Sequence, residues 1–232
     1  MINLIIKLID FTNKIKVLNF LKKSLDNKQL NVIDIGGHKG ETLNFFLKNF
    51  HINKIFVFEP NKDLFDYIKK KFSDKRVNLF NYGVGLSKGV KKLNITIDSA
   101  SSTINNINTN TDYFKRKKRF LTWRKNTPFF LDAQHIEIVN LSDFLLNKES
   151  KIDVLKIDTE GYEFSILKGI TEKDFKKIRF IYFEHHFDLM IEKEYKFKDI
   201  DQLLKRNNFS QKLKIKMKFR KSFEYIYESK SQ

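Results

Sequence analysis

The sequence has no cysteine and only two prolines. Without cysteine there is no disulfide, no thiolate metal site and no cysteine nucleophile. A chain of this kind fits a reducing compartment, so the expected location is cytoplasmic. Scarce proline and only eight glycines in 232 residues speak against disorder and against a sandwich of short, turn-linked strands. Also missing is any run of about 18 uninterrupted apolar residues, which excludes an obvious membrane-spanning helix. The opening stretch, MINLIIKLIDFTNKIKVLNFLKK, carries Lys7, Asp10, Lys14 and Lys16 inside its apolar run and has no small-residue cleavage site. It reads as an amphipathic helix, residues 1–28, packing on the domain that follows, rather than as a secretory signal. Peripheral contact with a membrane is the second reading of the same helix.

What is abundant is apolar bulk and positive charge. Hydrophobic residues make up 41%, and 24 of the residues are Phe, enough for one large core over residues 29–232. The net charge of +17 comes almost wholly from Lys, with only seven Arg. Lys, Asn, Ile and Phe rise together in chains coded by AT-rich genes, so solvated Lys-rich faces explain the charge better than a dedicated polyanion site. Long-range attraction to acidic glycans, anionic lipid or nucleic acid follows from the charge all the same.

Along the chain, short apolar runs alternate with helical patterns. NVIDI (31–35), KIFVFE (54–59), RVNLFNYGVG (76–85), IDVLKID (152–158) and IRFIYFEHH (178–186) read as strands. ETLNFFLKNF, DLFDYIKKKF, GYEFSILKGI and KDIDQLLKRNN read as helices between or after them. Strands that are apolar throughout and separated by helices indicate a mostly parallel sheet buried on both faces. KKLNITID (91–98) alternates as an accessory strand, and KIKMKF with FEYIYE reads as a terminal hairpin. Residues 99–131 are polar and then basic, with interleaved aromatics around 113–125 and no clear period. A stretch of that length inside a compact domain is expected to be a lid or substrate loop.

In such a sheet, ligands bind beyond the carboxyl ends of the strands. The first strand ends in Asp34, followed by Gly36, Gly37, His38 and Gly40. A dinucleotide fingerprint would need glycine at position 35, where Ile35 stands, and no G-K-[ST] follows for a phosphate loop. Asp34 would repel pyrophosphate, whereas it suits S-adenosylmethionine, which carries an amino group and a sulfonium and no phosphate. Glu59, at the end of the second strand, can accept both ribose hydroxyls. Asn81, after the third, is placed to contact adenine or ribose. Each of these acids could instead cap a turn.

The order NVIDIGGHKGET, IFVFEPNKDLFDYIKKKF, NYGVGLSKG, SASSTI, LKIDTEGYEFSILKG, IYFEHH resembles the FkbM family of methyltransferases over about residues 30–190. The resemblance implies a class I Rossmann-like α/β fold: a mostly parallel seven-stranded sheet, helices on both faces and a terminal antiparallel hairpin. It implies methyl transfer from S-adenosylmethionine, usually to a hydroxyl of a sugar, surface glycan or secondary metabolite. Asp34, Gly36, Gly40 and Glu59 inherit cofactor roles, and Asp158, Glu160, Gly161 and Glu163 match the family's D-x-E-G-x-E. Ser101 and Ser102 match its serine pair, with Ser102 and Glu160 placed toward the acceptor. His38 and the basic stretch near 113–125 fall outside the shared pattern.

Methyl transfer needs alignment and, for a hydroxyl, a way to handle its proton. Asp158 and Glu184, at the ends of adjacent strands, and the following His185 are the candidate catalytic groups. Oxygens of Asp158, Glu160 and Glu184 could also hold a divalent cation of the magnesium type. His185 and His186 should point to opposite faces, as strand neighbours do, and Glu163 reads as a brace for a backbone amide or a Lys. A nucleic-acid methyltransferase, or a basic binding protein on the same fold, is the rival reading, with FKRKKRFLTWRK as its groove. Both prolines are isolated, so the Pro-Pro-aromatic motif of amino-methylating enzymes is absent, and nucleic acid is disfavoured.

Overall fold

The computed structural model describes residues 2–25, 28–122, 127–146, 151–217 and 220–230, with side chains from residue 12 onward. A long helix, α1 (Ile2–Leu25), precedes β1 (Leu30–Ile35), α2 (Glu41–Asn49), β2 (Ile52–Phe58), α3 (Lys62–Lys71) and β3 (Val77–Phe80). Then come β4 (Gly83–Gly85), β5 (Gly89–Thr96), a 3₁₀ turn (Ser99–Ser101), α4 (Asp112–Thr122), β6 (Phe130–Asn140) and α5 (Leu141–Leu146). The chain continues through β7 (Ile152–Ile157), α6 (Glu163–Lys168), α7 (Glu172–Phe175), β8 (Ile178–His186), α8 (Phe197–Arg206), β9 (Phe209–Lys216) and β10 (Ser222–Ser229).

Seven strands form one sheet in the order β3-β2-β1-β7-β8-β10-β9, parallel except for the terminal hairpin of β9 and β10. Strand order reverses beside β1, between β2 and β7, and the ends of these strands open the cleft expected at such a switch. The apolar runs are buried because both faces are covered. Val32, Val154, Phe180 and Ile226 pack on one side with Val17, Leu21 and Leu25 of α1, Phe46 of α2 and Ile68 of α3. Ile33, Leu155, Ile181 and Tyr225 pack on the other with Leu145, Ile166, Phe175 and Leu204. On the first face Phe20 of α1 meets Phe180 edge to face, 5.9 Å between ring centres. Among the described residues no helix is long and apolar enough to cross a membrane.

Two stretches depart from the sequence reading. Residues 76–85 are not one strand. β3 ends at Phe80, and β4 leaves to pair with β6 in a second, three-stranded sheet, β4-β6-β5. β6, eleven residues long, was not foreseen, because its outer half is solvated and lacks a continuous apolar run. Nor is 99–131 without structure, since it contains α4. Phe114 of α4 is buried against Phe129, Met190 and Ile191. Residues 123–126 of the basic stretch lie outside the described residues.

Candidate active site

The chain turns sharply after β1. Gly36 adopts φ +90°, and a Cβ there would stand 2.0 Å from the carbonyl oxygen of Asp158. Only glycine lets the ends of β1 and β7 come this close. A Cβ on Gly37 would meet Val57 at 2.5 Å, so the loop lies tight against β2 and leaves its outer side open. That open side is one wall of a cavity of about 370 Å³.

Glu59 follows β2 into the same cavity. It is 6% exposed, and its two oxygens each accept one backbone N–H, from His38 at 2.7 Å and from Asn61 at 2.9 Å. Burial pushes its carboxyl up to about 7, against the pull of those amides. Each oxygen can accept a second hydrogen bond, as two ribose hydroxyls require. His38 fixes the other rim: its ring shares a hydrogen bond with Ser99 Oγ at 2.8 Å and another with Glu41 Oε2 at 3.2 Å.

Ser99 belongs to a loop held over the cavity from above. Ser102 lines the cavity and its Oγ accepts from Thr96 N at 3.2 Å, whereas Ser101 is buried. Lys117 of α4 reaches down to Ser101 Oγ and to Asp98, 3.4 Å away. The basic helix thereby holds the serine loop.

At the ends of β7 and β8 the reacting groups converge. Asp158, Glu160 and Glu184 all line the cavity. Burial alone would raise Asp158, but Lys156 Nζ, 3.1 Å from its Oδ2, outweighs it and holds the carboxyl below its ordinary value. Glu184 has only the more distant His186 ring, 3.5 Å from its Oε1, as a counter-ion. Burial and the charge of Asp158 push it up to about 7. Glu160 sits in the left-handed region, φ +51°, next to Gly161 at +98°. This turn is braced by Glu163, which accepts from the Gly161 N–H at 2.9 Å and from the Tyr195 hydroxyl at 2.6 Å.

Four of the sequence-assigned site residues do not reach the cavity. Asp34 is fully buried beneath the loop, both oxygens without a hydrogen-bond partner, and burial pushes it up to about 8 despite Lys156. Gly40 sits at the start of α2, where φ +78° and contact with the Phe72 ring explain it structurally. Asn81 turns away and donates to the carbonyls of Glu59 and Pro60. His185 is on the opposite face, its ring against Phe187, Tyr195 and Phe197, and burial lowers it to about 4. The imidazole on the face of Glu184 is that of His186, packed behind the cavity wall, with Nε2 3.5 Å from both Glu160 and Glu184 and Nδ1 3.6 Å from Asp188. The possible divalent site is corrected as well. Lys156 and His186 already lie against these carboxylates, and among the described residues no group of three His, Asp or Glu is arranged to hold a metal ion.

The sequence reading missed Tyr82, Lys156, Tyr182, Glu224 and Asn13, all of which line the cavity. Lys156 and Tyr182 stand two residues before Asp158 and Glu184, so the period of two along a strand was a usable signal for them. Nothing local marks Asn13 and Glu224, which arrive from the two chain ends.

The sheet order, the glycine turn beneath a carboxylate on β2 and the carboxylates beyond β7 and β8 define the class I S-adenosylmethionine-dependent methyltransferase fold. A family model described as the methyltransferase FkbM domain matches residues 34–210. The chain belongs to the FkbM methyltransferase family. Solved structures of similar fold include a methyltransferase FkbM from Methylobacillus flagellatus KT, 14% identical with a TM-score of 0.52, covering 86% of this chain and 44% of that one. This chain therefore spans less than half the length of that protein. Another is magnesium protoporphyrin IX methyltransferase from Synechocystis PCC 6803 with bound S-adenosylmethionine, 10% identical, TM-score 0.53, covering 97% and 81%. A third is TrmK of M. capricolum in complex with S-adenosylhomocysteine, 14% identical, TM-score 0.51, covering 92% and 67%. At these identities the likeness is one of fold. Comparison with curated proteins gave no match.

Proposed function

We propose that this chain transfers the methyl group of S-adenosylmethionine to a hydroxyl oxygen of a sugar, a surface glycan or a secondary metabolite. The residues fit the cofactor: a Cβ-free turn at Gly36 and Gly37, a ribose-type acid at Glu59, and Ser102 on the covering loop, all lining the same cavity. S-adenosylmethionine, when bound, supplies an electrophilic methyl on a sulfonium. The observation that carries the reading is a second wall of the same cavity, made of Asp158, Glu160 and Glu184.

Glu184 is the group suited to accept the hydroxyl proton, since a buried carboxyl near 7 is half ionised at neutral pH and gains a proton readily. Asp158, kept ionised by Lys156, orients the acceptor hydroxyl. Glu184 would take the proton from the acceptor hydroxyl as its oxygen takes up the methyl group. His185 is not proposed in this role, given its place on the other face. Calorimetric titration with S-adenosylhomocysteine tests the cofactor half: one site per chain supports it and no heat refutes it. Glu59→Gln should weaken that binding about tenfold, the cost of losing charge-assisted bonds to the ribose.

A further inference from the structure

Each of the two carboxyls at the ends of β7 and β8 has a cation two residues away along the chain, on its own face of the sheet. Lys156 precedes Asp158 and pairs with it at 3.1 Å. His186 follows Glu184, and its ring is shared. Nε2 lies 3.5 Å from Glu184 Oε1 and 3.5 Å from Glu160 Oε2, while Nδ1 lies 3.6 Å from Asp188 Oδ2. The residue is 8% exposed and sits behind the cavity wall that Glu160 and Glu184 form.

A neutral imidazole has one N–H and a lone pair on its other nitrogen. Here either tautomer would aim that lone pair at a carboxylate, on the Asp188 side or on the Glu160 and Glu184 side. The surroundings therefore call for the imidazolium. Burial works against the charge, but Glu160, Asp188 and Glu184 outweigh it and hold the ring well above its ordinary value. Its charge also reaches Asp158, Tyr113 of α4 and His185. Lys193, on the loop after β8, acts on Asp188 and Glu160 from another direction, and Glu224 of β10 stands opposite Glu184 in the sheet.

A charge divided among three acids neutralises none of them fully, which separates the two reacting carboxyls. Asp158, with Lys156 beside it, stays below its ordinary value, and Glu184, with only a share in His186, rises to about 7. Asp188 carries the same ring outward. Its other oxygen accepts from the Met190 N–H at 2.9 Å, and Met190 is buried against Phe114 of α4.

Resting on the methyl-transfer reading above, we propose that His186 is a positioning residue for that reaction: its doubly protonated ring fixes Glu160 and Glu184 relative to each other and keeps Glu184 in its basic form. It acts through Glu184 and does not touch the acceptor.

The test uses the full chain, methyl-labelled S-adenosylmethionine and the lysate fraction that the wild-type chain labels, supplied as a dilution series. His186→Gln keeps an N–H donor and removes the charge. Loss of that charge lifts Glu184 further, so the acid limb of the maximal rate should move up by about one pH unit. The rate at pH 7 should fall about fivefold and return to near wild type by about pH 9, the consequence of a one-unit shift. The half-saturating amount of the fraction and the affinity for S-adenosylhomocysteine should stay within about twofold of wild type, since neither touches this ring. A rate lowered equally at every pH, an unmoved limb, or a loss confined to half-saturation would overturn the proposal. A second measurement needs no variant. Long-range 15N–1H NMR of the wild-type chain at pH 7 should find both ring nitrogens of His186 protonated, and a single proton there would overturn it as well. A wild-type chain that binds no S-adenosylhomocysteine, or labels no fraction, would instead overturn the methyltransferase reading itself, so the two failures are distinct.

Discussion

Glu59 and Glu184 are both carboxyls that burial lifts to about 7, but their surroundings assign them different work. Glu59 is pinned by two backbone N–H groups, from His38 and Asn61, which fixes its orientation toward a ribose. Glu184 Oε1 makes no hydrogen bond, lies 3.5 Å from His186 Nε2 and feels the charge of Asp158. For Glu184 the sign of the pH effect is set by its role. Below about 7 the carboxyl is protonated and cannot take the hydroxyl proton, so turnover should fall tenfold per pH unit on the acid side and level off above it. Glu184→Gln should lower kcat by about 100-fold or more and remove that acid limb, with S-adenosylhomocysteine binding retained. A variant that keeps both kcat and the limb would show that another group accepts the proton. The sequence placed both acids at strand ends correctly. It chose His185 over His186, although alternation along β8 puts His186, two residues on, on the face of Glu184.

At the scale of elements, the site depends on how closely β1 and β7 approach. Gly36→Ala would push a methyl into the Asp158 carbonyl and force an L residue to hold φ +90°. The expected loss is about 3 kcal/mol of stability from overpacking and backbone strain together, read by urea denaturation, with cofactor affinity lost in parallel. A stability change under about 1 kcal/mol would mean that the turn is looser than described. The central strands were legible because each is a short apolar run ending in charged or glycine residues. β6 and α4 were not. The outer half of β6 is solvated, and α4 buries little apart from Phe114, so neither element carries the period that a sequence reading detects. The length and polarity of 99–131 marked it as a distinct segment, but the contact of Lys117 with the serine loop, sixteen residues apart, left no sequence signal.

For the molecule as a whole, the buried polar row beneath α1 sets how stability responds to pH. Asp34 has a folded value of about 8 against an ordinary 3.8. Between those values the unfolded chain has lost the proton that the folded chain keeps, so stability falls as pH rises through this window. Asp34→Asn carries no such proton. Its melting temperature, relative to wild type, should therefore rise steadily from about pH 5 to about pH 8 without ligand. A constant difference across that range would mean that Asp34 is ionised in the folded state and paired by Lys156. The core that surrounds this row was visible in the composition, with its 24 Phe. The row itself was not, since Asp34, Lys156, Tyr182 and Glu224 come from four strands that only the sheet order brings together.

The central claim, methyl transfer to a hydroxyl of a sugar, surface glycan or secondary metabolite, is tested most directly by following the methyl group. The chain is incubated with methyl-labelled S-adenosylmethionine and a cell lysate, which is then fractionated into carbohydrate, lipid, small-molecule and nucleic-acid pools. The account predicts label in a carbohydrate or small-molecule pool as an ether that survives alkali, and none of it with Glu184→Gln. Label that is released by nuclease, or that is found on nitrogen, would contradict it.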